Sequence, residues 1–320
     1  MAKSNKDSFL NKLTPEEKDY FILPALKTVK KVSKKNNDDK EAMIPCIVER
    51  NFSKARFGAV ILLVFFIGLS IFSGVKVLAW KIDSDNTYEQ IELINKNVVI
   101  EEVEDTEQTE IINPPKEESD ANPYWDYIKM SLINVDFSNL LSINKDTKGW
   151  LQVNGTNINY PFVQASDNDY YLTRDFNGNK NSAGWVYLDY RNNIDELDQN
   201  TIIYAHGRLN GTMFGSLKNI FDSNWFDNTD NHVIKLSTAT ENTLWQVFSV
   251  YHIPTTSDYL YTNFATAEEF MDFVTMLKSR SQYDFNVEFN ENDKILTLST
   301  CYNSEERVVL HAKLIKKEVR

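Results

Sequence analysis

The sequence predicts a mainly β domain with helices: an antiparallel or mixed barrel of eight short strands, preceded by one transmembrane helix. Three observations predict it. Eight short runs rich in β-branched and aromatic residues follow one another after residue 143, separated by turn residues. Two stretches with helical spacing interrupt them. Upstream lies "FGAVILLVFFIGLSIFSGV", residues 57–75, which carries no charge.

Residues 1–56 are polar and lysine-rich apart from "YFILPAL" at 20–26, and predict a partly disordered tail. The apolar run follows. At about 1.5 Å per residue it reaches about 28 Å as a helix, close to the roughly 30 Å hydrocarbon core of a bilayer. Lys76 sits where a lysine can snorkel, and Trp80 where an indole suits the interface, so the anchor is set at 57–80. The run begins too deep for a cleaved signal peptide, and no small-x-small cleavage site follows it. Arg50, Lys54 and Arg56 flank its start, which by the positive-inside rule makes 1–56 a cytoplasmic tail and the remainder extracellular. Residues 81–122, with "EEVEDTEQTE" and "NPPKEESDANP", read as an extended acidic stalk.

The domain proper spans 123–320. "YWDYIKMSLINVDFSNLLSI" (124–143) has apolar residues at helical spacing. The strand-like runs are then "GWLQV", "INYPFVQ", "GWVYLD", "NTIIYAH", "HVIKLST", "LWQVFSVYHI", "KILTLST" and "RVVLHAKLI". "MFGSLKNIF" (213–221) and "TAEEFMDFVTMLKS" (266–279) are the two helical interruptions.

Charge excludes one class of partner. The net charge is −12, but 1–56 holds 13 Lys and Arg against 8 Asp and Glu, whereas 82–320 holds 19 against 38. An acidic main body argues against nucleic acid, which requires a basic face. Cys46 and Cys301 are the only cysteines and fall on opposite sides of the anchor, so Cys301 is a free extracellular thiol.

A thiol attacks as thiolate, with an unperturbed pKa of about 8.5, and therefore needs a histidine or a cation beside it. His206 follows the strand-like "NTIIYAH" and opens a glycine-containing loop; Cys301 ends "KILTLST" in the same way. Arg307 opens the last run, and His311 shares its face. His206, Cys301 and Arg307 would make a nucleophile, its acid–base partner and a donor for a developing oxyanion. Spacing alone leaves open the blander reading, in which Cys301 is a small packed apolar residue and His206 and Arg307 are ordinary polar ones. No cluster of metal ligands or cofactor motif is present in the sequence.

These residues resemble a known family. "TLSTC" (297–301) resembles the TLxTC signature of sortases, and "NTIIYAHGRLNGTMFGSLKNIF" (200–221) the histidine segment of their class B branch. "INKDTKGWLQVNGTNINYPFVQASDNDYYLTRDF" (143–176) and "RVVLHAKL" resemble the first and last parts of the class B barrel. The resemblance implies a membrane-anchored cysteine transpeptidase of Gram-positive cells. Its fold would be an eight-stranded sortase barrel with N-terminal helices and a helix between strands six and seven, the slot of "TAEEFMDFVTMLKS". It implies His206, Cys301 and Arg307 as catalytic residues, and Asn168, Leu172, Tyr259, Leu260 and Ser299 as contacts for the sorting peptide. No metal or other cofactor is implied. The implied partners are surface proteins with a C-terminal, NPxTx-like sorting signal and an amine of the peptidoglycan precursor. Ala205 stands where the family commonly has glycine, and Glu305 and Glu306 adjoin the arginine. Two rival readings stand beside it: a tethered cysteine peptidase with the same nucleophile, resolved by water, and a noncatalytic surface binding module in which Cys301 is merely packed.

Overall fold

The computed structural model describes residues 54–115, 122–301 and 305–320. The tail expected at 1–56, Cys46 with it, lies outside the described residues except for its last three positions, and so does the Pro- and acid-rich piece at 116–121. Residues 62–320 form one compact unit; of the unit before it, residues 54–61 are described and are helical.

Helix α1 runs from Lys54 to Asn97. One part of it is long and apolar enough to cross a membrane, and that part is not buried in the protein. Its large apolar side chains from Phe57 to Leu78 are exposed, which a core helix would not allow. The residues read as the start of an extended stalk, 81–97, instead continue this helix. Ser84, Thr87, Ile91 and Ile94 recur every three or four positions and turn toward the domain; all but Ile91 are buried. Two of the four are polar, so the stretch lacks the apolar period that marks a helix in sequence. Beyond it, strand β1 (Ile100–Val103) and strand β2 (Thr109–Ile111) are also ordered. The stalk reading thus gives way to a helix and two paired strands.

The stretch 124–143 differs as well. Its helical spacing yields two short helices, α2 (Tyr124–Tyr127) and α3 (Ser138–Ile143), with strand β3 (Leu132–Val135) between them. β3 pairs antiparallel with β1, and Leu132, Ile133 and Val135 are buried, so long-range pairing overrides local spacing.

The eight runs expected as strands are all strands: β4 (Thr147–Val153), β5 (Asn159–Val163), β6 (Tyr187–Leu188), β7 (Asn200–Tyr204), β8 (Val233–Thr238), β9 (Glu241–Pro254), β10 (Ile295–Cys301) and β11 (Glu306–Val319). Their order is β10-β7-β6-β5-β4-β8-β9-β11, and β10 pairs with β11 to close the ring; β2 adds outside β11. The β5–β6 and β7–β10 pairs are parallel and the others antiparallel, so the barrel is mixed. Trp150, Trp185, Trp245, Phe162 and Phe248 are buried in the barrel's core.

The short helix α4 (Ser223–Phe226) follows a 3-10 turn at Gly215–Phe221. Helix α5 (Ala267–Arg280) lies between the sixth and seventh barrel strands, β9 and β10. Its start is capped: the Thr266 hydroxyl accepts from Glu269 N at 3.2 Å, and Glu269 Oε2 reaches back to accept from Ala265 N at 3.0 Å. Phe270, Phe273, Val274 and Leu277, at i, i+3, i+4 and i+7, form its buried face.

Candidate active site

The site begins where two parallel neighbours stop. β7 and β10 are in register up to Tyr204 opposite Ser299, and Ala205 N still donates to Ser299 O at 3.4 Å. His206 and Cys301 each lie two positions beyond that last pair. On the other side of β10, Cys301 is paired with Arg307 of β11. The parallel pairing of β7 with β10 thus brings distant His206 to the same end of the barrel as Cys301 and Arg307, which are already neighbours across β10 and β11.

The His206 ring is held by Leu172, whose carbonyl lies 2.8 Å from Nε2. A carbonyl can only accept, so Nε2 carries the hydrogen and Nδ1 is the nitrogen left for proton transfer. Leu172 closes a 3-10 turn at Tyr170–Leu172. That turn comes close because Gly184 has no side chain: a Cβ there would meet Tyr171 O at 2.6 Å, Leu172 O at 2.8 Å and His206 Cδ2 at 3.0 Å. Gly184 also has φ +60°, a conformation that suits glycine. This residue was not singled out in the sequence, where one glycine among ten gives no sign of what it faces.

A cavity of about 550 Å³ opens beside His206. Six of the eight residues singled out in the sequence line it: Leu172, His206, Tyr259, Leu260, Ser299 and Arg307. Thr300, the neighbour of Cys301, lines it too. The Tyr259 and Ser299 hydroxyls are 2.9 Å apart, which fixes the wall on that side. The half-buried Arg307 donates from Nη1 to Glu306 O at 3.3 Å.

Asn168 is not at the cavity. Its Nδ2 donates to Asp189 Oδ2 at 3.1 Å and its Oδ1 accepts from Tyr190 N at 3.0 Å, so both ends of the amide support a loop. The network behind it reaches the site indirectly. Asp189 is fully buried, receives both arms of Arg191 at 2.8 Å, and accepts from the Tyr204 hydroxyl at 2.9 Å. Burial pushes the Asp189 carboxyl up, but hydrogen bonds from Arg191 and Tyr204 outweigh it and hold the carboxyl below its ordinary range. Tyr204, and with it Tyr187 and Thr255, lines the cavity without having been singled out; these come from the end of a strand, a two-residue strand and a loop.

The other histidines are elsewhere. His311, on the same strand as Arg307, is fully buried. Thr297 donates its hydroxyl hydrogen to Asn200 Oδ1, so His311 Nδ1 donates to that hydroxyl, and Nε2 accepts from Tyr251, each at 2.8 Å. Burial, with Arg280 nearby, pushes His311 down to about 3 and keeps it neutral. His232 bonds the Tyr127 hydroxyl at 3.1 Å, and His252 stacks on Phe221 at 3.8 Å between ring centres. Among the described residues, no group of three or more His, Cys, Asp or Glu is placed to hold a metal ion. What the cavity offers is acid–base and guanidinium chemistry at the end of a strand that finishes in a cysteine.

Known proteins share this pattern. Residues 151–315 match a family described as the sortase domain. The chain is 35% identical over 186 residues to Sortase B of Listeria monocytogenes, covering 57% of this chain and 75% of that protein. Among solved structures it is similar to a Staphylococcus aureus sortase B–substrate complex, with 33% identity, a TM-score of 0.53, and coverage of 56% of this chain and 84% of that one. It is equally similar to a sortase B complexed with triglycine, at 33% identity and TM-score 0.53, covering 56% and 85% of the two chains.

Proposed function

The chain belongs to the sortase family of cysteine transpeptidases, in its class B branch, and from that premise we propose that it cleaves a C-terminal sorting signal and passes the acyl group to an amine. Cys301, as thiolate, attacks the carbonyl carbon of the scissile peptide bond. Arg307 stabilises the oxygen anion of the tetrahedral intermediate with its fork of N–H donors. His206 protonates the leaving amine as the carbon–nitrogen bond breaks, and a thioester remains. The incoming amine attacks that thioester, His206 takes its proton, and the thiol is regenerated. One histidine serves both steps because the second is the reverse of the first with a different amine.

The observation that carries the reading is the single cavity where His206, Arg307 and the end of β10 meet, with Leu172 fixing the His206 ring. Leu172, Tyr259, Leu260 and Ser299 would contact the sorting peptide there. The peptide is proposed as an NPxTx-like, proline-containing pentapeptide, and the acceptor as an amine of the cell-wall precursor. On the proposed topology α1 anchors the enzyme in the membrane of a Gram-positive cell, with the N-terminus in the cytoplasm and the barrel outside.

The test is cleavage of a small pentapeptide library, with mass spectrometry of the products with and without an amine acceptor. Acyl-amine products support the reading. Free acid alone, whatever the amine, would convert the enzyme to a water-resolved peptidase; no cleavage at all would leave a binding module.

A further inference from the structure

A second cavity, of about 280 Å³, adjoins the first at Thr300, which borders both. Its other walls include Gly207, Arg208, Phe214 and Lys218, all from the segment that follows His206. Arg208 is only 8% exposed, yet its Nε and Nη2 have no hydrogen-bond partner among the described residues. Those two atoms are one edge of the guanidinium, the fork that grips a carboxylate or phosphate with two parallel bonds. The Thr300 hydroxyl, 4% exposed, has no partner among the described residues either. The exposed Lys218 adds a second positive charge at the rim.

A buried charge without a partner is costly, so proteins that keep one generally supply an anion. Among the described residues, no group of the protein accepts a hydrogen bond from that edge. The Trp80 ring lies 5.7 Å from Arg208 Cζ and offers a π-face, which takes no hydrogen bond from the fork edge. Asp83 is near enough to favour the charge, but its Oδ2 accepts from Ser182 N at 3.1 Å.

We infer that Arg208, Thr300 and Lys218 form an anion subsite for an acidic group, carboxylate or phosphate, carried by the acyl acceptor. The identity of the ligand rests on the transpeptidase reading; the existence of the site does not. The acceptor is favoured over a lipid headgroup by position. The cavity borders the residues next to Cys301 and next to His206, where an incoming amine must arrive. It is also the buried edge of Arg208 that lacks a partner, and a flat bilayer surface does not reach into such a recess.

The experiment uses the full chain in detergent micelles, a fluorescent NPxTx-like peptide as donor, and glycine oligomers of one to three residues as acceptors, each as free acid and as amide. For at least one length the free acid is expected to show a KM about tenfold or more below its amide, as loss of a charge-assisted pair implies. Arg208→Gln should erase that preference, and Arg208→Lys, which keeps the charge but not the fork, should retain only part of it. Equal KM values for acid and amide at every length in the wild type, or an undiminished preference in Arg208→Gln, overturn the inference. A second arm does not depend on transfer. The Arg208 Nε–H signal, assigned by its loss in Arg208→Gln, should shift saturably on titration with sodium acetate or inorganic phosphate. If no transfer occurs to any amine, the transpeptidase reading falls, and a saturable shift still supports the anion site. A non-saturating shift shared with the other arginines overturns the site itself. Saturation by phosphatidylglycerol nanodiscs, but by neither small anion, assigns the guanidinium to the bilayer and overturns the acceptor.

Discussion

At the residue scale the proposed mechanism gives His206, Cys301 and Arg307 separable roles. Cys301→Ala should abolish peptide cleavage, since no nucleophile remains. His206→Ala should lower kcat by about 10²–10⁴-fold, the usual worth of a positioned acid–base group. Arg307→Lys should lose about 10²–10³-fold despite keeping the charge, because a lysine lacks the fork. Initial rates on one preferred peptide, with folding checked by circular dichroism, decide all three; a near wild-type His206→Ala enzyme would remove that histidine from the mechanism. Gly184→Ala should act at a distance, pushing Leu172 O off the His206 ring and lowering both stability and kcat. If its rate equals that of the wild type, the Leu172 contact is dispensable. His311 makes a different prediction. Its folded pKa, about 3, lies below the ordinary value of 6.5, so the unfolded chain binds the proton more readily. The stability this provides is complete above pH 6.5 and is lost as pH falls toward 3. His311→Phe should therefore cost about 1–3 kcal/mol at pH 7, where Tyr251 loses its acceptor, yet show a flatter decline between pH 6.5 and 3. Urea midpoints across that range check it, and an equally steep decline in the variant would assign the acid sensitivity to other groups.

At the element scale, α1 is more than a leash. Asn210 donates to Ser84 Oγ at 2.6 Å, Tyr88 donates to Asn210 O at 2.9 Å, and Asn181 donates to Thr87 Oγ1 at 3.0 Å. The segment that follows His206 is thereby strapped to the helix. A chain beginning at residue 82 keeps these bonds and should fold. One beginning at residue 98 loses them, for a loss of about 3 kcal/mol at roughly 1 kcal/mol each. That corresponds to roughly 6–12 °C in Tm for a domain of this size. Activity should fall with it, and equal melting temperatures for the two chains would show the strap to be idle. The continuation of this helix over 81–97 was hidden in the sequence because its inward face mixes Ser84 and Thr87 with Ile91 and Ile94, whereas α5, with a Thr266 cap and four apolar residues at i, i+3, i+4 and i+7, could be read directly. The eight barrel strands were legible for the same kind of reason: each has a β-branched or aromatic run and turn residues around it. Their ring order was not, since a pairing such as β10 beside β7 joins residues nearly a hundred apart. β3 was concealed inside a helical spacing. His206 was joined to Cys301 in sequence by their like places at the ends of strand-forming runs; the candidate peptide contacts came only through the resemblance to a family. Asn168 shows the limit of such a transfer, because its amide is committed to Asp189 and Tyr190.

At the scale of the whole molecule, the proposed topology can be tested directly. Protease added to intact cells stripped of their wall should digest the barrel and leave the N-terminal tail uncut; a protected barrel would reverse the orientation. The strap on α1 has a consequence for how such an enzyme would meet its substrates. From Lys81 to Asn97 the helix rises about 24 Å, at roughly 1.5 Å per residue. On the proposed topology the cleft beside His206 is fastened alongside this rod, not hung from a slack tether, so its altitude above the lipid would be nearly constant. A cleft at fixed altitude searches a plane. Encounter would then favour substrates that travel laterally in the same bilayer and present their scissile bond at that height, while a freely diffusing peptide of identical sequence would have only its bulk concentration to help it.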